Sequence, residues 1–137
     1  MTLAQAEHVL HAKFETDQTA DDRPNGCGFA TVRGRRDPVS YMFDNGRIRR
    51  ADLDIHGPKT SIRTAAGIGL GSSIAEIRRA YGKRVKSYPD AYDAPELDFE
   101  VKSADGKAAI VFETEHGRVR LIRAGRLPWA EYIEGCS

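Results

Sequence analysis

The sequence predicts an α+β fold built as two tandem α-β-β-β repeats, an antiparallel sheet with helices packed on one face. Three observations lead there. The first is recurrence at a fixed offset: Thr2-Leu-Ala-Gln5 returns as Ser73-Ile-Ala-Glu76, and Asp44-Asn-Gly-Arg-Ile-Arg49 returns as Glu115-His-Gly-Arg-Val-Arg120, in both cases 71 residues later. The second is that both motifs are structural signals, a helix start and a tight hairpin. The third is size. The chain has 137 residues, and two units of about 65–70 residues are each marginal alone, so they are expected to share one core. The expected division is one domain, 1–137, made of repeats at about 1–56 and 72–125 followed by a tail, 126–137.

Each element has a local reason. Thr2 and Gln5 form a capping box, and Leu3, Ala6, Val9, Leu10 and Phe14 continue as an apolar stripe, which predicts a helix over 2–14. Residues 15–26 are rich in Asp, Thr, Pro and Gly and read as a loop. Cys27 to Val32 reads as a strand. Residues 39–55 read as a hairpin about Asn45-Gly46, pairing Asp44 with Arg47, Phe43 with Ile48 and Met42 with Arg49. The apolar parity then flips after Arg49-Arg50, the mark of a β-bulge.

Residues 56–71 form a connector. Ser73 caps a second helix with its stripe at Ile74, Ile77, Ala80 and Tyr81 and a stop at Gly82. A loop over 83–95 and a strand from Leu97 to Val101 follow. The second hairpin turns at His116-Gly117 and pairs Glu115 with Arg118, Glu113 with Arg120 and Phe112 with Leu121. Trp129, Tyr132 and Ile133 in the tail are expected to pack back on the body.

Charged residues make up 30% and apolar residues 40% of the chain, an ordinary soluble profile, and the net charge is +1. That balance argues against a general nucleic-acid surface, despite local clusters at Arg33, Arg35, Arg36 and at Arg47, Arg49, Arg50. No apolar run approaches the roughly 20 residues that cross a bilayer. Met1 opens almost directly onto a helix, which suggests that a leader has been removed. Cys27 and Cys136 lie in glycine contexts, one of them a single residue from the chain end. They read as a disulfide stapling the tail, with two free thiols as the other reading. A disulfide implies a periplasmic or extracellular home.

No constellation forms a strong catalytic or metal signature. Gly67-x-Gly-x-Gly71 before a helix can cradle an anion but lacks a P-loop lysine, so a turn into a capped helix is the preferred reading. His8 and His11 can share a metal, yet no third ligand has matching spacing. Asp90, Asp93, Glu96 and Asp98, and likewise Asp17, Asp21 and Asp22, do not follow an EF-hand pattern and read as solvated loops. Cys27 as a nucleophile would need a histidine base. Tyr88, Tyr92 and Trp129 are aromatics in loops or the tail, where recognition residues often lie, and where aromatics also pin loops to the body.

The helix starts Met1-Thr2-Leu3-Ala4-Gln5-Ala6 and Gly71-Ser-Ser-Ile-Ala-Glu76, set in tandem on an antiparallel sheet, resemble the β-lactamase inhibitory protein and the single-repeat outer-membrane assembly lipoprotein BamE. Ile62 to Ser72, Tyr81-Gly82 and Glu134-Gly-Cys136 are similar to a group of bacterial exported proteins. The resemblance implies an exported module that binds another protein across an open sheet face. The chain departs from the inhibitor in having one cysteine pair rather than one per repeat and no evident second helix in each helical layer. Inhibition of a β-lactamase is therefore not carried over, nor is any inhibitor residue.

The expected function is thus a periplasmic or secreted, non-enzymatic protein-binding module: an inhibitor, an immunity protein or an envelope-assembly factor. No cofactor, metal, nucleic acid or membrane span is expected. The binding surface is expected to be an outward-facing charged strip of Met42, Asp44, Arg47 and Arg49 from one repeat and Glu113, Glu115, Arg118 and Arg120 from the other, with Tyr88, Tyr92 and Trp129 as the aromatic alternative. Two further readings are a small hydrolase or metal-dependent enzyme using His56 or His116 with loop carboxylates, and an accessory domain of a longer envelope protein.

Overall fold

A computed structural model of the chain describes residues 1–16 and 26–136, so Asp17, Asp21 and Asp22 lie outside the described residues. The described elements are α1 (Leu3–Leu10), β1 (Phe14–Thr16), β2 (Cys27–Val32), β3 (Val39–Asp44), β4 (Arg47–Asp54), α2 (Ile74–Tyr81), β5 (Val85–Pro89), β6 (Leu97–Lys102), β7 (Ala108–Glu115) and β8 (Arg118–Arg126). The strands form one antiparallel sheet in the order β1-β2-β3-β4-β8-β7-β6-β5.

This corrects the α+β, α-β-β-β expectation. Among the described residues the molecule is a single eight-stranded sheet with two eight-residue helices, and each half contributes four strands. Helix α1 is short because His11 turns left-handed at φ 49°, so Phe14 opens β1 instead of extending the helical stripe. Strand β5 was hidden because it is a sheet edge, four of its five residues being exposed, and it ends in proline. Geometry explains why the helices cannot cover the sheet. Eight strands span about 34 Å across, whereas an eight-residue helix is about 12 Å long. The connector extends the cover over the second half, with Ile68 inside the core cluster and Leu70 packed against it.

Matching features recur at the 71-residue offset. Thr2 and Ser73 cap their helices by accepting from Gln5 and Glu76 N–H. Asn45 and His116 both hold positive φ in the hairpin turns, each followed by a glycine that does the same. The Ile48 N–H donates to the Met1 carbonyl, as the Val119 N–H donates to that of Ser72. The bulges also match. Met42 faces Arg50 and Phe43 faces Ile48, which leaves Arg49 as the extra residue; Glu113 faces Leu121 and Thr114 faces Val119, which leaves Arg120.

The bulge thus falls one residue earlier than the sequence suggested. Arg49 and Arg120 are no longer the register partners of Met42 and Glu113, although Arg120 still reaches the Glu113 carboxylate, and Phe112 meets Ile122 instead of Leu121.

The register sorts the side chains into two faces. One carries Phe14, Tyr41, Ile48, Leu53, Phe99, Phe112, Val119 and Ile122, and lies under the helices and connector. The other carries Met42, Arg50, Asp52, Asp98, Glu100, Glu113 and Arg123. The halves meet at β4 and β8, where Arg50 lies opposite Gly125. A Cβ at Gly125 would sit 2.3 Å from the Arg49 carbonyl oxygen and 2.4 Å from Arg50 Cβ. Backbone cannot yield there without parting the two strands. Gly125→Ala is therefore expected to lower stability by about 2–3 kcal/mol or more, measured as the urea unfolding midpoint; a wild-type midpoint would contradict this packing.

Candidate functional site

The charged face is not open in its middle. The tail after β8 turns back across it and ends in a Cys27–Cys136 disulfide, with 5.6 Å between the Cα atoms. Buried arginines draw the tail down. Arg50 grips Asp52 with two bonds, Nε to Oδ1 at 2.8 Å and Nη2 to Oδ2 at 2.9 Å, and donates from Nη1 to the Trp129 and Tyr132 carbonyls at 2.9 and 2.6 Å. Arg123 donates to Glu113 and, from Nε, to the Ala130 carbonyl at 3.1 Å. Trp129 lies under the Arg49 guanidinium, 4.3 Å from Cζ to the ring centre, and its Nε1–H donates to Asp44 at 2.9 Å.

This layer redistributes the expected binding residues. Met42 and Glu113 are buried, at 0% and 5% exposure, and leave the outward surface. Asp44 and Arg49 are half-buried against Trp129, and Arg120 lies 2.9 Å from Glu113. Arg47, Glu115 and Arg118 are exposed near the hairpin turns. Asp52 and Arg123, central to the layer, were not singled out from sequence, and Arg50 only as part of a local basic cluster. The signal for Arg123 was a charge set among the apolar residues Leu121, Ile122 and Ala124. Its neighbour Asp52 comes from a strand 71 residues away and is invisible without the strand order.

The other aromatic candidates lie elsewhere. Tyr88 on the edge strand β5, Tyr92 in the following loop and Ile133 in the tail are 46%, 64% and 44% exposed. The Tyr92 hydroxyl donates to the Glu134 carboxylate, joining loop and tail. Tyr88 and Ile133 line a cavity of about 280 Å³ whose polar lining is Asp98, Glu100, Glu131 and Arg123.

Burial, then the charges of Glu113 and Asp90, push the Asp98 carboxyl up to about 7. Its Oδ1 is buried and accepts no hydrogen bond from the described residues. Burial, and then the neighbouring Glu131 carboxyl, also raise Glu100, whose Oε1 lies 3.5 Å from Lys102 Nζ. Burial opposes ionisation of Asp90 as well, but the Tyr92 and Asp93 N–H groups at 2.8 and 3.0 Å outweigh it, and that carboxyl lies below its usual range.

The remaining candidates sit in local structure. Asp90 shapes the acidic loop through those two N–H groups, and its carboxylate and that of Asp93 lie 3.8 and 3.6 Å from Arg120. The glycines at 67 and 71 turn the chain into α2, with the Gly69 N–H donating to Ser72 Oγ. The His8 and His11 rings are 6.4 Å apart on the α1 surface. The His56 and His116 N–H groups donate to Asp54 and Glu96 carboxylates. Among the described residues no group of three or more His, Cys, Asp or Glu is placed to hold a metal ion, and no helix is long and apolar enough to cross a membrane.

Searches of protein-family models, curated proteins and solved structures find no match to this chain.

Two outcomes test this layer. The disulfide closes a loop with a sequence separation of 109 residues. Reduction is expected to lower stability by about 2–5 kcal/mol and to change the near-ultraviolet signal of Trp129; equal urea midpoints with and without reductant would refute the staple. The second concerns Asp98. An acid whose folded pKa lies above its unfolded value costs the fold stability once pH exceeds the unfolded value, and the cost grows until pH passes the folded one. Asp98→Asn is therefore expected to stabilise the protein at about pH 8 and to give no gain below about pH 4. A gain that does not change with pH would contradict the burial of this carboxyl.

Proposed function

We propose that this chain is a protein-binding module of an oxidising, exported compartment, and that it captures an extended partner segment carrying a basic side chain. The observation that supports this most is the exposed pair Tyr88 and Ile133 lining an acid-lined cavity at the open β5 edge. Grouped exposed aromatic and aliphatic side chains beside a cavity are the anatomy of an interface hot spot. An open edge strand offers unpaired backbone groups on which an extended segment can form hydrogen bonds. Asp98, Glu100 and Glu131 favour a cation, and a lysine or arginine in the cavity supplies the donor that Asp98 Oδ1 lacks. The Cys27–Cys136 bond supports the compartment, since such bonds persist where thiols are not kept reduced. The likeness to exported binding modules in the helix starts points the same way.

The test is selection of random displayed decapeptides on the disulfide-intact protein. Enriched peptides are expected to carry Lys or Arg beside apolar residues, to lose at least about tenfold in affinity to Tyr88→Ala and to Glu100→Gln, and to bind more tightly at about pH 8 than at pH 6, because Asp98 ionises across that interval. Peptides indifferent to both substitutions and to pH would refute the reading.

A further inference from the structure

Charge is sorted along the β5 edge. From Ile77 to Pro89 the chain carries five Lys and Arg and no acid; from Asp90 to Glu100 it carries five Asp and Glu and no base. Strand β5 therefore starts in basic surroundings, at Arg84 and Lys86, and ends in acidic ones, beside Asp98 and the loop from Asp90 to Glu96. Lys86 and Tyr88 share the charged face with their register partners Glu100 and Asp98. The Glu100 side chain is 6% exposed, and its Oε1, which lines the cavity, accepts no hydrogen bond among the described residues. The backbone of the edge is equally particular. The Asp90 N–H donates to the Glu96 carbonyl at 2.9 Å and continues the β5–β6 register, so by the alternation of an antiparallel ladder Lys86 and Tyr88 turn their backbone groups toward β6. Val85, Ser87 and Pro89 turn theirs outward. Pro89 has no N–H, and that of Val85 donates to the Gly82 carbonyl. Among the described residues the edge thus offers the carbonyls of Val85, Ser87 and Pro89 but only the N–H of Ser87.

We propose that the partner segment pairs antiparallel with β5 about Ser87 and reads, from its N-terminus, a basic residue, any residue, then an acidic residue. A segment can both donate and accept only at Ser87, which fixes the register. The residues on either side of that pair then stand opposite Tyr88 and Lys86 and point to the same charged face. The one opposite Tyr88 lies over the acid-lined cavity and is the base. The one opposite Lys86 lies toward Arg84 and is the acid. Antiparallel pairing, which every neighbouring pair in this sheet uses, gives the straighter bonds and sets cross-strand side chains directly opposite. An antiparallel segment starts at the acidic end of β5 and finishes at the basic end, so the base comes first; a parallel one would need the reverse order. The proposal rests on the reading that this edge takes an extended basic segment, and adds its register, direction and charge order.

The probes are two capped heptapeptides of equal composition, Thr-Val-Lys-Val-Glu-Val-Thr and its reverse, Thr-Val-Glu-Val-Lys-Val-Thr, titrated into the isotopically labelled, disulfide-intact protein. The first is expected to bind saturably, to shift the Ser87 amide most, and to bind at least about fivefold more tightly than the second. Lys86→Glu is expected to abolish that preference, and raising the salt to about 1 M to shrink it. Lys86 is exposed, and Lys86→Gln serves if the charge reversal disturbs folding. Equal affinity for the two peptides overturns the charge order; if that binding is still lost in Glu100→Gln, the basic-segment reading stands without it. Tighter binding of the reverse peptide, or a preference that survives removal of the Lys86 charge, also overturns the proposal. Absence of saturable binding of either peptide up to about 1 mM overturns the proposal and the reading beneath it.

Discussion

Asp52 and Arg123 occupy the same position in the two repeats, and the pairing of β4 with β8 sets them directly opposite each other. When two copies of one unit meet about a twofold axis, the position on the axis must face its own equivalent. Had both copies kept one charged residue there, like charges would stand with Cβ atoms about 5 Å apart on a buried face. The chain instead carries an acid in one copy and a base in the other. The next pairs outward show the same divergence, Arg50 against Gly125 on one side and Asp54 against Leu121 on the other. Gly125 is the side chain removed so that Arg50 fits.

Once this seam holds guanidinium groups at 2% and 4% exposure, the rest of the charged face is constrained. Each guanidinium has five N–H donors and no acceptor, and a buried donor without a partner is costly. Asp52 and Glu113 satisfy part of that demand. The central strands cannot supply the remainder, because their carbonyls are committed to neighbouring strands. The acceptors come from a third layer, the carbonyls of Trp129, Ala130 and Tyr132. Packing a polar tail over charges orders that segment at a cost in entropy, and the disulfide offsets it by limiting where the tail can go when unfolded. Burial of the charges, the path of the tail and the staple are one arrangement.

This arrangement also decides what the sequence could reveal. The capping residues, the two hairpin turns and the bulges are local, and Thr2, Ser73, Asn45-Gly46 and His116-Gly117 announce themselves by residue type. Cys27 and Cys136 were legible as a staple from their placement alone. The edge strands were not, because β1 is three residues long and β5 has a single half-buried side chain, so neither shows an apolar alternation. The hairpin parity put Phe43, Ile48 and Phe112 on the helix side correctly, but not Leu121, which the bulge turns to the charged face opposite Glu113. That the tail then closes that face was not, since it depends on Asp52 meeting Arg123 through strand order. For that reason the expected charged strip is mostly a structural layer, with Met42 and Glu113 inside it, while Tyr88 and Tyr92 remain outside.

The tail is also part of the candidate site. Ile133 and Glu131 form one wall of the acid-lined cavity, and Glu134 holds the Tyr92 loop beside it. Opposite stand Asp98 and Glu100 on β6 and Tyr88 on β5. Neither wall makes a cavity alone: without the tail, β5 and β6 present a flat exposed edge, and without the edge the tail has no partner surface there. The carboxyl groups gain their unusual environment in the same way, because Asp98 is raised chiefly by burial, and Glu113, the next contributor, is held in place by Arg123 and Arg120. The charges that required a tail at the seam are therefore coupled, through Glu113, to the carboxyl best placed to meet a ligand at the edge. A site built this way depends on the fold of the whole chain, and on the oxidised state of a cysteine pair whose members do not line it.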